Sequence, residues 1–259
     1  MQKDMISSSR GYKEKMAKRS LSCAPAYNDK PASFTIVVCN LNEIMYIEQS
    51  LNSLRNQTLI PEEIIVIDGG STDGSLEVAQ ALADKVYGPI KGFARSRLLG
   101  VFASKGSLIC SANSDTIYPK RYLENASRHL AKPEVMAVTG PHKPIPGTHF
   151  NLLAQAQATF SHISYLMLTH AYEHNVCFKK SAFIKSMGYF RDYWMKRLVI
   201  NPSLDIGYYL RHGLNARWEK DMLVYTRLPT RSVSVKNVLV YFFRYLRFKD
   251  LKTIARAIK

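Results

Sequence analysis

The stretch IIVIDGGSTDGS, from Ile64 to Ser75, decides the fold. It begins with a run of β-branched residues that ends in Asp68, as a buried strand does. Two glycines and a Ser-Thr-Asp cluster follow, and a helical pattern begins at Ser75. Ligands of open α/β sheets bind beyond the carboxyl ends of the strands, where such turns bring backbone N–H groups close to phosphates. The stretch therefore predicts a strand, an anion-binding turn and a helix; the alternative is a plain turn capped by Ser71 or Asp73.

The same alternation of strand and helix continues on both sides of this stretch. Further strands are predicted at Phe34 to Cys39, Asp84 to Gly88, Ser107 to Ala112 and Val135 to Thr139. The spacing of apolar residues predicts helices at Ile44 to Leu54, Leu76 to Ala83, Phe93 to Ala103 and Pro119 to about Ala131, and later ones at Leu152 to Tyr172, Lys179 to Met187 and Ser203 to His212. This order indicates a mostly parallel, doubly wound α/β sheet.

The charge of the chain is concentrated at its C-terminal end. The 259 residues carry a net charge of +16, and residues 227–259 hold nine Lys or Arg with a single acid, interleaved with aromatic and aliphatic residues. This pattern predicts either a packed helix with a solvated basic face or a tail that lies on an anionic membrane surface. Nucleic acid is not an expected partner, because basic residues outside the tail lack interleaved stacking aromatics.

The cysteines and the N-terminal residues bear on localisation. The four cysteines form no C-x-x-C pair, so reduced thiols and a cytoplasmic setting are expected, with peripheral attachment to the inner face of the membrane through the tail as an extension. Residues 1–32 are polar and basic and have no apolar signal-peptide core, so we interpret them as a mobile arm.

Four blocks, in order, resemble the family 2 glycosyltransferases of the inverting, GT-A type. They are TIVVCNLNE (Thr35 to Glu43), VIDGGSTDGS from Val66, GFARSRLLGVFASKG with SANSDTIYPKRYL (Gly92 to Leu123), and NVCFKKSAFIKSMGYF with SLDIGYYLRHG (Asn175 to Gly213). The resemblance implies a Rossmann-like GT-A domain at 33–227, with a nucleotide-binding half at 33–140 and an acceptor half at 141–227. Residues 228–259 then form a basic amphipathic helical tail.

The resemblance also implies a metal ligand and a catalytic base. Asn113, Ser114 and Asp115 lie over the family's D-x-D motif, so Asp115 is the predicted ligand of Mg²⁺ or Mn²⁺, and asparagine replaces the first aspartate. Such a cation neutralises the leaving diphosphate as a Lewis acid. Asp205 occupies the position of the base that removes the acceptor proton, although Leu204 replaces the preceding glutamate.

The remaining predicted residues bind the donor. By the same matching, the Cys39 backbone and the side chains of Asn42, Glu43 and Asp68 line the nucleoside pocket, together with Gly69, Asn113 and Ser114. Arg95 is matched to the diphosphate, and the role of Arg97 is left open because residues two apart on a helix do not face one phosphate.

The resemblance thus implies a metal-dependent inverting glycosyltransferase. Its donor is a nucleoside diphosphate sugar and its acceptor a glycan, a protein or a lipid-linked group. No Gln-x-x-Arg-Trp follows Asp205, which favours transfer of a single sugar. Because Asn113 and Leu204 replace family acids, the alternative is a catalytically silent protein of this fold that binds nucleotide sugar or glycan as an adaptor.

Overall fold

A computed structural model of the chain describes residues 32–145, 175–184 and 216–227. Its helices are α1 (Ile47–Arg55), α2 (Ser75–Leu82), α3 (Phe93–Ala103) and α4 (Tyr122–Leu130), and residues 180–184 are also helical. Its strands are β1 (Phe34–Asn40), β2 (Glu63–Asp68), β3 (Lys85–Tyr87), β4 (Leu108–Asn113), β5 (Thr116–Ile117), β6 (Ala137–Thr139), β7 (His142–Pro144), β8 (Val176–Lys179), β9 (Ala216–Trp218) and β10 (Val224–Thr226).

The main sheet has seven strands in the order β3-β2-β1-β4-β8-β6-β9. Strand β1 is parallel to both β2 and β4, with Asn40 opposite Asp68 and Cys39 opposite Asn113. The carboxyl ends of these three strands therefore meet at one edge of the sheet. This arrangement confirms the predicted α/β sheet and brings the predicted site residues of separate blocks together.

Both faces of the sheet are covered, as expected for a doubly wound fold. On one face, Ile36 and Val38 of β1 pack with the buried face of α1, whose Ile47, Leu51 and Leu54 are inaccessible to solvent. On the other face, Val37 packs with α3. A Cβ placed on Gly100 would lie 2.2 Å from Val37 Cγ1, so the glycine allows α3 to approach β1 closely.

The strands and helices of the first half lie close to their predicted positions. Helix α3 has the predicted bounds, and the observed ends of β1, β2, β4 and α2 differ from prediction by one residue at most. Helix α1 is an exception, because it begins at Ile47 rather than at Ile44. The Ile44 N–H donates to Asp73 Oδ2 (3.0 Å), which holds this residue in the loop before the helix, with its side chain 39% exposed.

The strands of the later part were not predicted. Strand β8 lies between β4 and β6 and is antiparallel to both. A second sheet has the order β5-β10-β7, in which β10 is antiparallel to β5 and parallel to β7. The helices predicted at Leu152 to Tyr172 and Ser203 to His212, the N-terminal arm and the C-terminal tail lie outside the described residues. Within the described ranges, we find no helix long and apolar enough to cross a bilayer.

Candidate donor site at the carboxyl edge of the sheet

The loops that follow β1 and β2 are bonded to each other. Asn42 donates its backbone N–H to Ser71 Oγ (3.0 Å), and its side-chain Oδ1 accepts the Thr72 N–H (2.9 Å). Asn42 has a φ of +54°, a left-handed conformation that asparagine tolerates better than most residues. These bonds join the two loops at the edge of the sheet.

Asp68 organises the turn after β2, and we call Asp68–Ser71 with Asn40 the Asp68 turn. One carboxylate oxygen accepts the N–H groups of Gly70 (2.7 Å) and Ser71 (2.9 Å). The other accepts Ser71 Oγ (2.6 Å) and Asn40 Nδ2 (2.8 Å). Burial acts to raise the pKa of Asp68, but these bonds outweigh burial and hold the pKa below its ordinary value. The carboxylate is thus buried, ionised and fully engaged by the protein.

Asp73 is bonded to the first residue of the helix that follows this turn. Its Oδ1 accepts the N–H (3.0 Å) and the hydroxyl (2.6 Å) of Ser75, where α2 begins. The N-cap position itself is Gly74, which has a φ of +94°. Of Ser71 and Asp73, the two residues expected to cap a plain turn, Asp73 is therefore the one bonded to the start of the helix.

Gly69 lies against the β1 loop. Its N–H donates to the Asn40 carbonyl (2.8 Å), and a Cβ at this position would lie 3.2 Å from Leu41 Cδ1. It would also lie 3.3 Å from the Asn40 carbonyl oxygen, so a larger side chain here would require the backbone of the β1 loop to move by a few tenths of an ångström.

The end of β4 brings Asn113 and Ser114 to the same edge. Ser114 donates both its N–H (3.2 Å) and its hydroxyl (3.1 Å) to the Cys39 carbonyl, which ties β4 to β1. Asn113 Oδ1 accepts Arg97 Nη2 (2.8 Å), and Arg97 Nε donates to Ser111 Oγ (2.9 Å). Arg97 is buried by these contacts, whereas Arg95 is exposed on the same helix. Arg97 is thus the arginine that reaches the predicted D-x-D segment.

Glu43, Asp115 and Arg227 form what we call the Asp115 cleft. Arg227 Nη2 donates to Glu43 Oε1 (2.8 Å), while Glu43 Oε2 is buried without a hydrogen-bond partner. Burial raises the pKa of Glu43 to about 7 against the opposing charge of Arg227, and Asp115 raises it further. Burial likewise raises the pKa of Asp115, although Arg227, Thr116 and Asn113 act to lower it. Glu43 is therefore incompletely satisfied by hydrogen bonds, and Asp115 lies buried beside it with the charge of Arg227 nearby.

The predicted donor residues largely converge, with two qualifications. Cys39, Asn42, Glu43, Asp68, Gly69, Asn113, Ser114 and Asp115 all lie at or just beyond the aligned ends of β1, β2 and β4. Arg95 contributes only an exposed side chain at the start of α3. Asp205 lies outside the described residues, and its role stays a prediction.

Arg227 and Arg97 contact predicted site residues, and sequence reasoning assigned neither of them a role. Arg227 is separated from Glu43 by 184 positions, and its only local signal is a basic residue after the short run Val-Tyr-Thr. Arg97 lies in the block that carries Arg95, and the sequence match favoured Arg95. Which of the two side chains reaches β4 depends on the orientation of the helix, which the sequence does not show.

Comparisons with known proteins identify the family of the chain. The model of the family described as Glycosyl transferase family 2 matches residues 35–197, more than half of the chain. A cholesterol galactosyltransferase of Borreliella burgdorferi is 35% identical over 83 residues, which are 32% of this chain and 23% of that protein. An uncharacterized glycosyltransferase of Haemophilus influenzae is 30% identical over 115 residues, 42% of this chain and 36% of that protein. The chain thus spans about a quarter to a third of the length of these relatives.

Solved structures show the same fold. A mannosyltransferase of Pyrobaculum calidifontis, solved with GDP-Man and Mn²⁺, superposes with a TM-score of 0.57 at 20% identity, covering 84% of this chain and 64% of that one. TarS of S. aureus superposes with a TM-score of 0.55 at 18% identity, covering 76% of this chain and 37% of that one. At these identities the likeness establishes the architecture alone.

Proposed function

The chain belongs to glycosyl transferase family 2, and on that premise we propose that it moves a single sugar from a nucleoside diphosphate sugar to a hydroxyl or lipid phosphate acceptor, with inversion. One observation carries the proposal: Glu43, Asp68 and Asp115, from three separate sequence blocks, meet at the carboxyl edge of the parallel strands. This edge is where open α/β sheets bind nucleotides. The Mn²⁺ and GDP-Man of the Pyrobaculum structure support a donor of this class.

The residues of the Asp115 cleft fit a divalent cation. Mg²⁺ and Mn²⁺ prefer oxygen ligands, and Mg²⁺ is usually held by one or two carboxylates together with substrate phosphates and water. Asp115 supplies such a carboxylate just beyond the end of β4, and burial raises its pKa. Among the described residues no three His, Cys, Asp or Glu side chains are placed to hold one metal ion, so phosphate oxygens and water are needed to complete the ligand set.

In the proposed mechanism, each residue has a separate task. Asp115 binds the cation, which when present neutralises charge on the leaving diphosphate. Asn42, Glu43, Gly69 and the loop held by Asp68 form the nucleoside pocket, and Arg97 fixes the amide of Asn113 beside the ribose and diphosphate. Asp205 removes the proton of the acceptor as the acceptor oxygen bonds to the anomeric carbon and the bond from that carbon to the diphosphate breaks.

A thermal-shift screen followed by donor turnover tests this function. We expect one of UDP, GDP, CDP and dTDP to raise the melting temperature, and Mn²⁺ to increase that shift, because ligands stabilise the folded state by mass action. Asp115→Asn should lose the Mn²⁺-dependent increment and at least about 100-fold of turnover, with unchanged folding. Asp221→Asn, at an exposed aspartate, is the matched control. Asp205→Asn should lose turnover but keep donor binding. Full Mn²⁺-dependent turnover in Asp115→Asn would refute the metal assignment.

The adaptor alternative is favoured by one observation. Asn113 stands where the family has its first D-x-D aspartate, and its Oδ1 already accepts a bond from Arg97. A site with one fewer charged ligand binds a cation more weakly. Calorimetric binding of the nucleotide sugar without any metal-stimulated turnover would select this alternative over the enzyme.

The C-terminal tail carries a separate part of the proposal. Lys236, Arg244, Arg247, Lys249 and Lys252 are interleaved with aromatic residues, a composition suited to anionic headgroups. We expect the full chain to co-sediment with vesicles of anionic lipid, and a chain truncated after residue 233 to remain in the supernatant. Equal pelleting of the two proteins would instead favour the packed-helix interpretation.

A further inference from the structure

Arg227 is held opposite Asp115 by the second sheet. Strand β10 pairs antiparallel with β5, with Thr226 opposite Thr116 and their hydroxyls 3.0 Å apart. The next pair in this register is Arg227 and Asp115, and the Arg227 N–H donates to the Asp115 carbonyl (3.0 Å). The backbone of Arg227 is thus fixed beside the predicted metal ligand.

The guanidinium of Arg227 is positioned as well as its backbone. It donates to Glu43 Oε1 and lies over the ring of Tyr46, with its central carbon 5.4 Å from the ring centroid. Its side chain is only 31% exposed and that of Glu43 only 15%, so the pair is weakly screened by solvent. A cation is therefore built into the same cleft as the carboxylates of Glu43 and Asp115.

This arrangement has opposite consequences for a metal and for a diphosphate. A divalent cation that approaches Asp115 meets the positive charge of Arg227, which weakens its binding. A diphosphate meets the carboxylates of Glu43, Asp73 and Asp115, and a nearby guanidinium offsets that repulsion through charge-assisted bonds. Arg227 therefore acts on the two ligands with opposite sign.

We propose that Arg227 is a built-in cation of the donor site, which competes with the divalent metal for Asp115 and pairs with the donor's diphosphate. In the empty site it holds Glu43 and opposes binding of the metal alone. When the diphosphate enters, the guanidinium turns toward its oxygens, and the metal then meets a site with less positive charge. Binding of the metal thus depends on the donor. This inference rests on the proposed function, since it requires a nucleoside diphosphate ligand.

Two binding measurements without catalysis test the proposal. Mn²⁺ affinity is measured in the absence of nucleotide, from the electron paramagnetic resonance signal of the free ion. Affinity for whichever of UDP, GDP, CDP or dTDP stabilises the wild type most is measured by calorimetry in EDTA. We expect Arg227→Met to bind Mn²⁺ about 10-fold more tightly and the nucleotide about 10-fold more weakly than the wild type. Arg227→Lys keeps the charge, and its affinities for both ligands should lie between those of the wild type and Arg227→Met.

The opposite signs separate this role from a structural one. A variant that only disturbs the fold loses affinity for both ligands, and that result would overturn the proposal, as would an unchanged Mn²⁺ affinity. Arg121→Met is the control, because Arg121 forms an ion pair with Glu124 on the surface of α4 and should affect neither ligand. If Arg227→Met binds Mn²⁺ more tightly but its nucleotide affinity in EDTA is unchanged, the pairing with diphosphate is wrong. If no nucleotide binds the wild type with or without Mn²⁺, the proposed function fails and this inference with it.

Discussion

The Asp68 turn and the Asp115 cleft lie at the same edge of the sheet, yet the protein treats their carboxylates differently. Asp68 accepts four hydrogen bonds, and its pKa is held below the ordinary value. Glu43 has a buried oxygen without a partner, and burial raises the pKa values of Glu43 and Asp115. A carboxylate that the protein satisfies completely shapes a loop, whereas one that it leaves incomplete is available to a ligand. The difference assigns structural and chemical tasks to acids that the sequence alone presents as equivalent.

Removing the charge of Asp68 should cause the largest loss of stability. In Asp68→Asn the amide offers one acceptor oxygen in place of two, and its NH₂ group faces donors at Gly70 and Ser71 or at Asn40. Breaking charged, buried hydrogen bonds in this way should cost about 3 kcal/mol in the free energy of unfolding at pH 7. Urea unfolding measures it, with Asp221→Asn as the exposed control. Equal stability of the two variants would show that the turn does not depend on this carboxylate.

Neutralising Glu43 should instead raise the stability relative to the wild type, and this gain should grow with pH. The pKa of Glu43 is about 7 in the folded protein and 4.5 as its ordinary value, so the folded state retains a proton that the unfolded state has lost between these values. Wild-type stability relative to Glu43→Gln should therefore fall as the pH rises, by about 2 to 3 kcal/mol between pH 5 and pH 8. For Asp68 the sign reverses. Because its pKa is lowered in the folded protein, its carboxylate stabilises the fold above about pH 4, and this stabilisation is lost at lower pH.

Urea unfolding at pH 5 and at pH 8 measures the difference in the free energy of unfolding between the wild type and Glu43→Gln at each pH. Glu77→Gln, at an exposed glutamate on α2, is the matched control. If this difference in the free energy of unfolding is the same at both pH values, the protein already stabilises the ionised form of Glu43. The contrast between the two regions would then disappear.

The same contrast explains what the sequence could reveal. Parallel strands β1, β2 and β4 are buried on both faces and read as continuous apolar runs, so their positions and the residues at their ends could be predicted. Strands β7 to β10 have only three or four residues, too few for a periodic signal. Asp68 and Asp115 could be found because local motifs carry them. The sequence could not show which carboxylates have a full set of hydrogen-bond partners, because the partner of Glu43 follows one of the short strands, far away in the chain.

The smallest effect should distinguish the two arginines of α3, which the sequence presents as alternatives. Arg97 uses two guanidinium nitrogens to hold Ser111 and Asn113, and the compact ammonium of Arg97→Lys cannot make both bonds. If Asn113 needs that support to contact the donor, the kcat/KM for the donor should fall about 10-fold, equivalent to about 1.4 kcal/mol. Arg95→Lys keeps an exposed charge and should stay within about 2-fold of the wild type, while Arg95→Met should lose about 3-fold at low salt and nothing at high salt. A larger loss from Arg95→Met than from Arg97→Lys would make the exposed arginine the donor contact and leave Arg97 with a purely structural role.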